Sequence, residues 1–73
     1  MRDAMINALR CHYNGEIGKH KMNVEAFLNN PVGVGEHIDI METISGEIGK
    51  IAEYEDKLST LEKHFGLEKG IKI

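Results

Sequence analysis

The stretch Asn29-Asn30-Pro31-Val32-Gly33-Val34-Gly35-Glu36 decides the fold. The residue before a proline is pushed out of the helical region, so Asn30-Pro31 stops a helix arriving from the N-terminal side at about Asn29. Gly33 and Gly35 then permit a reversal, and a turn over 30–35 is an ordinary length for joining antiparallel helices. The chain on both sides of the turn has helical periodicity, so it reads as two helices folded back on each other.

Upstream, Asp3 is placed to cap a helix over about 3–29 whose apolar positions Ile6, Leu9, Tyr13, Ile17, His20, Val24 and Phe27 recur three and four apart. Downstream, Glu36 and Asp39 suit the positive end of a second helix over about 36–65. Its seam reads Met41, Ile44, Ile48, Ile51, Glu55, Leu58 and Phe65, and Lys63, His64 and Gly66 supply a helix end. Residues 67–73 show no such period and read as a flexible tail, leaving 1–66 as one all-α antiparallel two-helix hairpin.

A pentapeptide occurs twice, as Gly15-Glu16-Ile17-Gly18-Lys19 and as Gly46-Glu47-Ile48-Gly49-Lys50. Folding at the turn brings the copies opposite each other, which predicts four glycines where the helices cross. Asn14-Gly15 and Ser45-Gly46 are turn-like dipeptides, and breaks there would give four short helices instead. The four-residue steps from Tyr13 to Ile17 and from Ile44 to Ile48 pass straight through both glycines and favour two long helices. A phosphate loop needs a different spacing and a preceding strand, so Gly-x-x-Gly-Lys is read as structural. A shift of 31 residues also aligns Leu9 with Ile40, Tyr13 with Ile44 and Phe27 with Leu58, which leaves an ancient duplication open.

Length and charge narrow the function. A chain of 73 residues buries little apolar surface alone, and below this size stability commonly comes from a disulfide, a metal or a partner. Cys11 is the single cysteine and cannot form an internal disulfide. With no secretory pattern at the N-terminus, a cytoplasmic location is expected. No apolar run is long enough to span a membrane, so no membrane partner is expected. Residues 1–35 carry four Lys/Arg and three Asp/Glu, and residues 36–73 carry five and nine. That division suits mutual attraction of the helices and not a nucleic-acid backbone.

Polar residues interrupt both seams. A register that sets Arg10 level with Glu55 and His20 level with Ser45 gives each a partner, and such polar positions fix register and oligomer state. A sharper reading uses His12, Glu16 and His20, one column at i, i+4 and i+8 with good ligands for zinc or iron. The second helix over 36–65 carries histidine only near its two ends, His37 and His64, so such a site needs a second subunit to complete it. Cys11 and His12 point about 100° apart on a helix and make no nucleophile pair, and Cys11 reads as a small buried or half-buried side chain.

Asn29-Asn30-Pro31-Val32-Gly33-Val34-Gly35-Glu36-His37, Ile38-Asp39-Ile40-Met41-Glu42 and Ile51-Ala52-Glu53-Tyr54-Glu55-Asp56-Lys57-Leu58 together resemble small helical proteins of large contractile-tailed marine cyanophages. The resemblance implies a phage-type origin and residence in the host cytoplasm or the virion. It supplies no activity and no catalytic residues.

Met5, Ala8, Leu28, Ile40, Ala52, Tyr54 and Leu61 widen the apolar stripe beyond what one partner helix covers, so the hairpin is expected to dimerise into a four-helix bundle. The leading expectation is a self-associating interaction or structural module, not an enzyme, with no cofactor, no metal site and a host or phage protein as further partner. One alternative is a metal-binding bundle using His12, Glu16 and His20. The other is an acidic regulator that occupies a basic site on a nucleic-acid-binding protein.

Overall fold

The computed structural model describes residues 1–29 and 39–66, which form two packed antiparallel helices, α1 (Arg2–Asn29) and α2 (Ile40–Phe65). The expected turn over 30–35 and the tail over 67–73 lie outside the described residues. At a rise of 1.5 Å per residue, the 28 residues of α1 extend about 42 Å.

The helix ends follow from local chemistry. Helix α1 starts at Arg2, so Asp3 is not the cap the sequence predicts but a first-turn residue, 3.6 Å from Arg2 and favourably placed against the helix dipole. At the other end Asn29 Nδ2 donates to the Glu25 carbonyl at 2.8 Å, satisfying one of the carbonyls that a helix terminus leaves open. Helix α2 starts at Ile40 and not near Glu36, because Asp39 is extended (φ −76°, ψ 101°) and its carboxylate accepts from the Glu42 N–H at 3.1 Å. That N-cap sets the boundary. After Phe65 the Gly66 N–H donates to the Glu62 carbonyl at 3.2 Å, and Gly66 has φ −59°, so the helix closes without a left-handed residue.

Both helices run unbroken through the repeated glycines, which excludes the four-short-helix alternative. The glycines do not form a close crossing, however. A Cβ built at Gly15, Gly18, Gly46 or Gly49 would meet nothing within 4 Å, and all four positions are exposed. Side chains separate the helices, and the glycines face outward.

The stripe that the helices share is Ile6, Arg10, Tyr13, Ile17, His20, Val24 and Phe27 on α1. On α2 it is Ile40, Ile44, Glu47, Ile51, Tyr54, Leu58 and Leu61, and every one of these is buried or half-buried. Steps of four and three alternate along both helices, which keeps one stripe facing the partner helix. The expected seams need correction here. Leu9, Met41, Ile48 and Phe65 are exposed apolar residues, and Glu55 and Cys11 are exposed as well. Arg10 replaces Leu9 in the stripe, and Ile40, Glu47, Tyr54 and Leu61 replace the others. Among the described residues, Ile6, at 6% exposure, and Leu61, at 8%, are the buried hydrophobic side chains.

Since the glycines are exposed in helix interiors, alanine at Gly15 or Gly49 is expected to stabilise the hairpin by up to about 1 kcal/mol each. The measurement is the urea midpoint at unchanged slope. A lowered midpoint would show that these positions carry packing after all.

Candidate functional site

The polar cluster of the molecule is built around His20 at the middle of the shared stripe. Its side chain is 12% exposed, and each ring nitrogen meets a carboxylate. Nδ1 lies 2.6 Å from Glu47 Oε1 on α2, and Nε2 lies 3.4 Å from Glu16 Oε1 one turn earlier on α1. An ionised carboxylate can only accept, so the short contact places a proton on Nδ1, which donates to Glu47.

Neighbouring side chains hold this arrangement in place. Asn23 Nδ2 donates to Glu47 Oε1 at 2.9 Å, and Lys19 Nζ lies 3.1 Å from Glu16 Oε1. Tyr54 on α2 stacks on the imidazole at a ring separation of 6.3 Å and an interplanar angle of 10°. The same tyrosine meets Tyr13 at 6.1 Å and the edge of His12 at 6.0 Å, with Lys57 Nζ 5.1 Å from its ring centre. Separations in this range carry favourable ring–ring and cation–ring attraction. Tyr54 is thus a hub between the two helices.

The carboxylates respond to these partners. Hydrogen bonding to His20 and then to Asn23 holds the Glu47 carboxyl below the usual carboxylate value. Hydrogen bonding to Lys19, aided by the charges of Lys19, His12 and His20, does the same for Glu16. On the outer face of α2, Glu53 lies 3.6 Å from Lys50 and 3.2 Å from Lys57, and the Lys57 hydrogen bond lowers its pKa while raising that of Lys57.

A second cross-helix pair lies nearer the open end. Arg10 grips Glu62 through Nε to Oε2 and through Nη2 to Oε1 at 2.9 Å, a two-bond fork, and its Nη1 donates to Asn7 Oδ1. This corrects the expected partners: Arg10 pairs with Glu62 and not Glu55, and His20 with Glu47 and not Ser45.

Of the candidate metal column, Glu16 and His20 come together while the His12 ring turns to Tyr13, at 5.7 Å, and to Tyr54. Among the described residues no group of three or more His, Cys, Asp and Glu side chains is arranged to hold a metal ion. Periodicity alone does not reveal Glu47 or Asn23 in this cluster, and it sets Tyr54 beside the seam where the structure sets it on the shared stripe. A signal for Glu47 existed, since Glu16 and Glu47 are equivalent positions of the repeat and both reach the same histidine.

The other feature is an apolar groove of about 910 Å³ at the open end, between the first turns of α1 and the last turns of α2. Met1, Met5, Ile6, Leu9, Leu61 and Phe65 form its apolar surface. No helix among the described residues is long and apolar enough to cross a membrane. No family model matches the chain, and comparison with curated proteins and with solved structures finds no similar one.

Two predictions concern the polar cluster. His20→Leu leaves the inward Glu47 with Asn23 as its remaining partner and is expected to destabilise by about 1 kcal/mol, reduced from the usual value for a charged hydrogen bond by solvent exposure. The double replacement His20→Leu with Glu47→Leu is expected to recover that loss, because no polar group is then stranded on the stripe. A double-mutant cycle in urea tests this, and simple additivity of the two changes would contradict it.

Acid acts through the carboxylates. Folding lowers the pKa of Glu16 and Glu47, so their contribution is complete above the unfolded carboxylate value of about 4.3 and is lost as pH falls through the lower folded values. Melting temperature should therefore drop below about pH 4.5, and Glu47→Gln should flatten that drop. Superimposable acid profiles for Glu47→Gln and the unchanged chain would remove Glu47 from the account.

Proposed function

We propose that this chain is a small self-associating helical module that acts through contacts and not through catalysis. The carrying observation is the imbalance between what it encloses and what it displays. Among the described residues two hydrophobic side chains are buried, whereas Met1, Met5, Leu9, Met22, Leu28, Met41, Ile48 and Phe65 are large, apolar and exposed. A fully buried side chain of this type stabilises by roughly 1.5–3 kcal/mol, so covering even a few of them outweighs much of what the lone hairpin gains from its stripe.

The residue types support the same reading. All four methionines of the chain are exposed, and methionine is a flexible, polarisable side chain well suited to surfaces that repack on contact. Arg10 with Glu62 and His20 with Glu47 pair across the helices, and Glu16 with Lys19 and Glu53 with Lys57 pair along them, so these polar groups are already engaged within the hairpin. On a phage-type origin, the further partner would be a host or phage protein.

If the folded form is an assembly, its melting temperature rises with protein concentration. Thermal unfolding followed from micromolar to near-millimolar chain is expected to show that rise. A concentration-independent, cooperative melt with a sedimenting mass of one 8.2 kDa chain would refute self-association.

A further inference from the structure

We infer that the groove at the open end is the self-association surface, and that its occupant is the same groove of a second copy, related by a two-fold axis. This rests on the self-association reading and assigns it a place. The groove adjoins the two enclosed residues of the hairpin, Ile6 and Leu61, and extends their apolar surface outward through Met1, Met5, Leu9 and Phe65. Setting two such grooves face to face converts two half-cores into one four-helix core.

Charge selects the occupant. Arg2, Lys57 and Asp56 lie along the groove, so both signs are present. Among the described residues Asp56 makes no ion pair, and the only one Arg2 makes is the 3.6 Å contact with adjacent Asp3. A two-fold contact sets a surface against itself, where a rim of one sign would repel and a mixed rim can pair across the axis. An acidic or basic partner peptide would be matched instead by a rim of the opposite single sign. A small molecule is a poor occupant because two helices form only a floor, whereas such ligands are mostly enclosed.

Sedimentation of the full chain, of Leu9→Glu and of Met22→Glu tests the assignment. Met22 is an exposed apolar residue of a separate, smaller groove beside Gly18, Val24 and Ile51, so its replacement is the control. The unchanged chain and Met22→Glu should sediment as dimers, and Leu9→Glu should dissociate at least tenfold more readily. In a Cys11→Ser background, Leu9→Cys should be joined to a second copy by a short bismaleimide and Met22→Cys should not, a readout that stands if Leu9→Glu fails to fold. A dimer that survives Leu9→Glu, or cross-links at Met22→Cys and not at Leu9→Cys, overturns the groove assignment while self-association stands. A monomeric unchanged chain overturns both.

Discussion

Two helices can bury only the stripe along which they touch, and the rest of this structure depends on that constraint. A stripe of steps alternating three and four turns one row of side chains inward on each helix and leaves everything beside the row in water. Ile6 and Leu61, the buried hydrophobic side chains among the described residues, both line the groove at the open end. Ile17, Val24, Ile44 and Ile51 occupy the same stripe and remain half-buried, since among the described residues no third element covers their outer edges. Exposure of Met5 and Phe65 is thus a consequence of architecture and not of poor packing.

The same constraint explains why polar residues sit on the stripe without penalty. At the half-exposed middle of a two-helix seam, His20 and Glu47 keep access to water and still pair across the helices. Arg10 and Glu62 do likewise nearer the open end. Sliding one helix along the other by a turn would part both pairs at once, whereas the aliphatic contacts would largely re-form. Register is therefore fixed by two polar pairs more than by the apolar positions. The repeat contributes in an unexpected way. In the first copy Ile17 faces inward and Glu16 flanks it, while in the second Glu47 faces inward and Ile48 turns outward. One pentapeptide, used one residue out of phase, thereby supplies the two carboxylates that clasp one imidazole.

These details show what the sequence could and could not disclose. Periodicity and the Asn30-Pro31 stop are local properties, and they located two long antiparallel helices and the end of α1 at Asn29. The inward face was only partly legible, because apolar residues lie on both sides of each stripe. Leu9 competes with Arg10 and Ile48 with Glu47, and in both pairs the more apolar member is the one that faces outward, whereas Met41 and Ile40 are both apolar and hydropathy gives little choice between them. Which member faces inward depends on a cross-helix partner, Glu62 for Arg10 and His20 for Glu47, and partners follow from register. Register is a relation between two distant helices, which the local periodicity of either one does not carry. The His12, Glu16 and His20 column failed as a unit for a related reason: same-face spacing takes no account of the ring of Tyr54, which draws His12 aside.

The outward glycines connect this thin seam to the proposed mode of action. Four exposed helix-interior glycines each weaken helix formation by about 1 kcal/mol relative to alanine, against a total stability for small domains of roughly 5–15 kcal/mol. A hairpin that already encloses only two side chains gives up a substantial share of its margin this way. Such a chain is most stable when a further apolar surface is removed from water, so in the proposed reading folding and association are linked. The open end is where that linkage acts most directly, since covering the groove extends the enclosed core from Ile6 and Leu61 without disturbing either polar pair.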